Sequence, residues 1–435
     1  MEHRHPNRRS IAVIGSGVAG LTAAYALSAD NLVTLYEADT RFGGHAHTHY
    51  LDRGDGYVVG VDSAFLVHNA RTYPTLCRLF DELGVATQST EMSMSVRDDA
   101  SGLEYAGARG LSGLVPSLST LGRPRYLRML AEVKRFHRAA TRVLAGEPDD
   151  IETLGSFLDR HGFSPYFVEL FMTPLVAAVW SCPPGDAMAY PARYLFTFLD
   201  HHGMLSVFGS PAWRTVVGGS ATYVERILSH VHELSAGTPV RAVHRVAEGV
   251  LVSAGRSRAR LFDAAVIATH PDQALLMLAE PTAAERRVLG AMRYSTNHAQ
   301  LHSDESVLPR HRRARASWNY LVTPGDDAVL VTYDVTRLMR LAGPRRFLVT
   351  LGGRGRVDPS RVLAEMTYRH PAYTVESVAA QRLLPMLDDD RLLFAGAYHG
   401  WGFHEDGAAS GLRAAHRLGS RWPEVTRPRM AALSC

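Results

Sequence analysis

Between residues 11 and 37 the chain passes from an apolar segment through a glycine-rich turn and a helix to a second apolar segment that ends on an acid. Ile11-Ala12-Val13-Ile14 is wholly apolar, as a strand covered on both faces requires. It runs into Gly15-Ser16-Gly17-Val18-Ala19-Gly20, a G-x-G-x-x-G pattern. Residues 18–28 then carry Val18, Leu21, Ala24, Tyr25 and Leu27 near helical spacing, and residues 32–36 read as a second buried strand with Glu37 at its end. The pattern alone is weak. Placed between a strand and a helix, with an acid after the next strand, it specifies a βαβ unit that holds a dinucleotide. Gly15 permits the tight turn, Gly17 lets backbone approach the pyrophosphate, and Gly20 lets helix and strand close together. The helix start, including Val18 and Ala19, offers free N–H groups to phosphate oxygens, and Glu37 is placed to accept ribose hydroxyls.

The rest of the 435 residues is organised around that unit. Residues 107–213 read as a mostly helical insertion, with a basic amphipathic helix at 127–144 and helical stretches at 151–160, 165–171 and 193–199, punctuated by prolines such as Pro174 and Pro183. Strand texture returns at 239–244, 249–253 and 264–268. Segments at 297–302, 316–322, 329–335 and 346–351 suggest an antiparallel sheet, with a turn at Pro324-Gly325-Asp326. A last strand at 392–395 leads to a helix at 408–418. The expected fold is α/β, with a discontinuous nucleotide-binding domain (1–106, 214–292, 385–425) and a second domain of antiparallel sheet plus helical insertion (107–213, 293–384).

Three cysteines exclude a disulfide scaffold and a four-cysteine zinc site. The longest apolar stretch, 166–180, holds Glu169 and Pro174 and is too short to span a bilayer. The polar start leads straight into the first strand, so secretion is not expected and a cytoplasmic location is. Of 47 basic residues only Lys134 is lysine. The arginine excess raises the pI to about 9.0 with a net charge of only +4, which is no nucleic-acid footprint.

After Glu37 comes Ala38-Asp39-Thr40-Arg41-Phe42-Gly43-Gly44, and near the C-terminus Leu393-Phe394-Ala395-Gly396 precedes His404-Glu405-Asp406-Gly407-Ala408. The first resembles the R-x-G-G fingerprint, and the second the C-terminal FAD motif, of flavoproteins of the amine oxidase and phytoene desaturase type. The resemblance covers essentially the whole chain, including Gly218-Gly219-Ser220. It is narrowest to bacterial amine-oxidase-like proteins linked to modification of fatty acyl chains, through Gly43-Gly44-His45-Ala46-His47-Thr48, Arg71-Thr72-Tyr73-Pro74 and Gly402-Phe403-His404-Glu405-Asp406-Gly407. It implies a Rossmann-type FAD-binding domain of the two-domain glutathione reductase/amine oxidase type and noncovalent FAD. Arg41, Gly43, Gly44 and His45 would lie along the pyrophosphate and ribityl chain, with Ala38 and Val240 also at the cofactor. Gly396, Ala397, Asp406, Gly407 and Ala408 would meet the flavin end, where a helix N-terminus favours charge on the reduced ring. Ala64 departs from the subfamily pattern, replacing a glycine near the cofactor.

In amine oxidases of this type a lysine holds a water at the flavin. Here the one lysine falls in the insertion, and Trp401 and His404 fall at the aromatic-cage positions, so simple amine oxidation is disfavoured. Desaturation needs a base beside the departing hydride. His404 is the first candidate, then Glu405 and His45, with Tyr398 as a donor; a packing role for His404 is the competing reading. His45, His47 and His49 would share one face of a strand. They suit flavin proximity or an ordinary polar strand better than a metal site. Cys182 reads as a cavity-lining or a buried structural thiol. The aromatic residues of the insertion, such as Tyr166, Phe171, Trp180 and Phe198, serve the core or an elongated cavity for an acyl, polyene or terpenoid substrate. The basic stripe at 123–142 reads either as a solvated face or as a contact for anionic lipid headgroups or an acidic carrier protein. Three functions remain open: an FAD-dependent oxidoreductase acting on a hydrophobic substrate, a redox-neutral double-bond isomerase, and a non-enzymatic flavoprotein.

Overall fold

The computed structural model describes residues 8–107, 109–147, 151–206, 209–322 and 330–422. The turn at Pro324-Gly325-Asp326 and Cys435 lie outside them.

The first strand, Ser10–Ile14, is the centre of a five-stranded parallel sheet in the order Glu233–Ser235, Leu32–Tyr36, Ser10–Ile14, Ala264–Ile267, Leu392–Phe394. Alternate residues face opposite sides. Ile11 and Val13 pack under the helices Val18–Ser28, Pro74–Glu82, Ala221–Leu228 and His404–Arg417. Ala12 and Ile14 pack under a three-stranded meander (Val240–Val246, Gly249–Ala254, Arg260–Phe262) and the helices Pro271–Met277 and Ala283–Gly290. Burial on both faces is why these strands read as unbroken apolar runs. Three separated stretches of chain thereby meet at the carboxyl ends of neighbouring parallel strands, where α/β sheets bind ligands.

The second sheet has seven strands in the order Val362–Ala372, Arg293–His302, Leu348–Leu351, Val331–Asp334, Trp318–Val322, Met94–Asp98, Leu103–Gly107. All neighbours are antiparallel except Trp318–Val322 with Met94–Asp98. The hairpin 94–107 thus belongs to this sheet, whereas a domain boundary at 106 assigns it to the nucleotide-binding part. The insertion is helical from Gly110 to His201, and its core packs against Val96, Tyr105, Tyr320, Val322 and Val331 of the sheet. Most of its aromatic residues, including Tyr190 and Phe196, are core.

Pro174 does not end its helix. It has no N–H to give Leu170, so the turn widens to a π-helix at Val168–Met172 and the helix continues through Thr173–Trp180. The freed Leu170 carbonyl accepts from the Tyr105 hydroxyl at 2.6 Å. The widened turn carries Phe171, one of the insertion's few aromatic residues to reach the cavity described next. No helix among the described residues is long and apolar enough to cross a membrane.

Candidate active site

One cavity of about 1550 Å³ runs from the Gly15–Ala19 turn, between the two sheets, into the helical insertion. At the turn, Gly15 (φ 99°) and Gly20 are fixed by protein contacts: a Cβ would lie 2.7 Å from the Ala268 carbonyl oxygen at Gly15, and 1.9 Å from the Gly15 carbonyl oxygen at Gly20. Gly17 differs. A Cβ there meets no protein atom within 4 Å and would point into open space at the helix N-terminus. The protein does not need glycine at 17; a ligand against the helix start does.

Glu37 lines this end and is oriented from the protein side. Its Oε2 accepts from the Ser16 N–H at 2.9 Å and hydroxyl at 2.6 Å, and Oε1 accepts from the Asp39 N–H. A carboxylate has lone pairs left for ribose hydroxyls. Ala38, Val240, Val18 and Ala19 line the same end.

The R-x-G-G segment works differently from expectation. Arg41 does not line the cavity. It folds back and donates to the carbonyls of Gly44 (2.8 Å) and Ala46 (2.9 Å), fixing a loop whose glycines take φ 120° at Gly43 and 56° at Gly44. Of these residues, Gly44 and His45 reach the cavity. The three histidines also divide. Only His49 lies in the strand Thr48–Asp52, with His47 stacked on it at 4.1 Å, while His45 sits in the preceding turn, 5.1 Å from Tyr368 and 5.4 Å from His370 ring to ring. Among the described residues no group of three or more His, Cys, Asp or Glu side chains could hold a metal.

At the C-terminal segment Gly396, Ala397, Tyr398, Gly402, Phe403 and His404 line the cavity. The last helix begins at His404, four residues earlier than the sequence suggests, because Asp406, in its first turn, reaches back and accepts the N–H of the preceding Phe403 at 2.9 Å. Asp406 is thereby a loop brace and not a cavity residue, and Gly407 and Ala408 are packed inside, Gly407 against Val18. Glu405 is turned away as well. Its two oxygens accept the Thr75 and Leu76 N–H groups, each at 3.0 Å, at the start of helix Pro74–Glu82. Burial raises its pKa to about 7. A carboxylate so engaged is not free to take a substrate proton. We expect Glu405→Gln to lower the melting temperature by several degrees, about 1–3 kcal/mol for a weakened buried acceptor, and to leave the rate of substrate oxidation within twofold. A large rate loss at unchanged stability would return Glu405 to the chemistry.

His404 is half-buried and stacked on Phe65 at 3.8 Å, with its Nε2 shielded from solvent. Burial, then His45 and His68, holds its pKa well below the ordinary range. Burial and Arg41 bring His45 down to about 4, and burial with His45 and His270 brings His370 to about 3. Asn297 donates to His370 Nδ1 at 2.9 Å, which fixes a neutral ring protonated on Nε2. His45 Nε2, His270 Nδ1, His404 Nε2 and the Tyr398 hydroxyl are buried with no hydrogen-bond partner. Four orphaned polar atoms on the wall of one cavity call for a polar ligand between them.

Sequence reasoning missed His270, Tyr294, Tyr368, Arg369 and His370 on this wall. The only signal was Tyr368 and His370 two apart on one strand, so on one face. Ala64 does line the cavity. Cys182 does not; it is a buried core thiol whose pKa burial pushes up to about 12. Trp401 is also outside, its carbonyl receiving Trp180 Nε1 at 3.0 Å. Lys134 lies on the helix Pro124–Ala145, at the cavity's exposed rim.

A family model for flavin containing amine oxidoreductase matches residues 18–326, more than half of the chain, and the chain belongs to that family. Over the whole length its fold is similar to the CLA-producing fatty acid isomerase from P. acnes (14% identical, TM-score 0.68, covering 96% of this chain and 100% of that one). It is equally similar to cyclohexylamine oxidase from Brevibacterium oxydans IH-35A (17% identical, TM-score 0.67, covering 94% and 98%). An L-amino-acid oxidase from Naja atra is 47% identical over 53 residues, 12% of this chain and 10% of that one. The chain is therefore an FAD-dependent oxidoreductase. The cavity fits the cofactor: the open helix start at Gly17 and the Gly44 loop suit the pyrophosphate, Glu37 the ribose, and the orphaned His45, His270 and Tyr398 atoms the polar edge of the flavin.

Proposed function

We propose that the chain oxidises or desaturates a hydrophobic substrate, an acyl chain, polyene or terpenoid-like molecule. One observation carries this reading. Beyond the cofactor end the cavity is lined by Val96, Tyr105, Phe171, Leu175, Val179, Trp318, Tyr333 and Leu351, and among the described residues the single carboxylate on the whole lining is Glu37, at the nucleotide end. An apolar chamber gains roughly 25 cal/mol for each Å² of substrate surface taken from water, while an ammonium substrate would find no counter-charge there.

Bound FAD supplies a hydride acceptor at N5. The chain has to hold the substrate, exclude water and receive a proton. As hydride leaves one carbon the neighbouring C–H becomes acidic, so a weak base suffices. His404 Nε2 is neutral, unpartnered and on the cavity wall, and it takes that proton. We expect His404→Ala to slow substrate oxidation about a hundredfold while FAD stays bound. An unchanged rate would leave His404 as a packing residue against Phe65.

The same neutral imidazoles, His45, His370 and His404, could also take up and return a proton on one chamber, which favours a redox-neutral double-bond shift as the second reading. Anaerobic mixing of the FAD-loaded protein with long-chain unsaturated fatty acids and with primary amines separates the cases. Bleaching of the oxidised-flavin absorbance by the acids and not the amines is expected. Bleaching by amines alone contradicts the proposal, and turnover only after chemical reduction, with no net redox change, establishes the isomerase reading.

A further inference from the structure

Of the chain's 47 basic residues eight fall in 109–146, yet only one of its 43 acidic residues does. That acid, Glu132, is buried and receives the Ser164 N–H and hydroxyl. Several of the arginines are engaged: Arg109 with Glu91, Arg123 with the carbonyls of Ser101 and Gly102, and Arg135 with the Gly162 carbonyl. Arg125, Arg128, Lys134 and Arg138 have no ion-pair or hydrogen-bonding side-chain partner among the described residues, so their charge faces solvent.

The same stretch exposes leucine. Leu111 is 82% exposed, Leu118 86%, Leu121 50% and Leu127 44%. They are spread over three successive helices, Gly110–Leu114, Leu118–Leu121 and Pro124–Ala145, rather than gathered in one groove. Single exposed apolar side chains need no explanation, but four within seventeen residues, in a stretch that also exposes the unpaired cations, mark an interaction surface. Two of these helices, Gly110–Leu114 and Pro124–Ala145, also line the apolar chamber, through Gly110, Leu114, Leu130 and Val133. Lys134 is both exposed and part of the cavity lining, which places it at the opening.

We propose that this face docks on an anionic lipid bilayer, the leucines entering the headgroup–acyl boundary and the cations meeting lipid phosphates, so that the chamber opens toward the membrane. Leucines protruding from several helices suit a fluid surface, which accepts them at any spacing. An acidic carrier protein would have to supply a shaped apolar partner for each. An apolar substrate is concentrated in the bilayer, and an opening there admits it without passage through water. The inference rests on the apolar-substrate reading for its purpose, but docking is scored without turnover, so the two fail separately.

The test is co-sedimentation of the FAD-loaded protein with vesicles of phosphatidylcholine alone and of phosphatidylcholine with phosphatidylglycerol. Binding to the anionic vesicles, weakened by salt, is expected. Leu111→Glu with Leu118→Glu should lower the partition coefficient at least tenfold. Arg128→Gln with Arg138→Gln should lower it about 25-fold, at about fivefold per charge. Met386→Glu, at a residue 77% exposed on another face, should change nothing. Retained flavin absorbance confirms that each variant is folded. Wild-type protein left in the supernatant with anionic vesicles overturns the proposal. So does undiminished binding of both double variants, or capture of an acidic acyl carrier protein by a chain that ignores lipid.

Discussion

Gly17→Val should give a folded, colourless protein, and Gly20→Val should give little folded protein at all. The two glycines belong to one motif and are three residues apart, yet they are glycine for different reasons. At Gly20 a Cβ would lie 1.9 Å from the Gly15 carbonyl oxygen and 3.2 Å from the Ala268 side chain. Backbone cannot yield there without parting the helix Val18–Ser28 from its own turn and from the end of the strand Ala264–Ile267. Overpacking of that kind costs about 1–3 kcal/mol when side chains can move, and more when they cannot. At Gly17 the backbone is extended (φ −62°, ψ 173°), which valine adopts without strain, and its Cβ would touch no protein atom. Its methyls would fill the space that the pyrophosphate needs. Melting of the purified apoproteins and FAD uptake measured together check the pair. Gly17→Val should keep the wild-type apoprotein melting temperature with FAD affinity lowered more than a hundredfold. Gly185→Ala, in open space, is the neutral control. Retained FAD affinity in Gly17→Val would mean that the dinucleotide does not lie against this helix.

The second large effect is on pH. The folded chain keeps His45, His68, His202, His270 and His302 neutral down to about 4, and His47, His370 and His399 down to about 3, with burial the first cause in each. Burial, with His45 and His68, holds His404 well below its ordinary value too. In the unfolded chain each takes a proton near 6.5. As pH falls below 6.5 the unfolded state therefore binds more protons, and the stability held above 6.5 is lost down to the folded values. Five carboxyls work the other way, Asp334 and Asp388 being raised by burial as well as the three that follow. Asp62 (about 6), Glu405 and Asp406 (about 7) bind protons first in the folded state, which offsets part of the loss on acidification. Nine histidines against five carboxyls leave a net loss. Each unmatched proton is worth about 1.4 kcal/mol per pH unit, on the scale of 5–15 kcal/mol for a whole domain. Urea unfolding of the FAD-loaded protein should show its midpoint falling steeply from pH 7 to pH 5. A midpoint flat across that range would mean that these histidines are charged, and hydrated, in the native state.

The parts legible in the sequence were those set by local rules. The strand, glycine turn and helix from Ser10 to Ser28, and the apolar runs at Ala264–Ile267 and Leu392–Phe394, follow from burial on both faces of a parallel sheet. The strand pairings were not legible, because they join residues far apart. The hairpin 94–107 enters the second sheet through parallel pairing with Trp318–Val322, more than two hundred residues on. The histidine-lined wall of the cavity hides for the same reason: His270 follows the strand Ala264–Ile267, His370 lies on Val362–Ala372, and His45 is in a turn. Motif residues were found, but a motif does not tell which member touches the ligand and which holds the loop. Arg41, Glu405 and Asp406 each have an ionisable side chain in the right segment, and each is spent on backbone groups of the protein.

The account stands on one cofactor enclosed by three remote stretches of chain. Its most direct measurement is the flavin content of the purified protein, read before and after heat denaturation. One FAD per chain, released whole into the supernatant, is the expected result and makes the attachment noncovalent. A colourless protein that takes up no FAD when incubated with it would contradict the account.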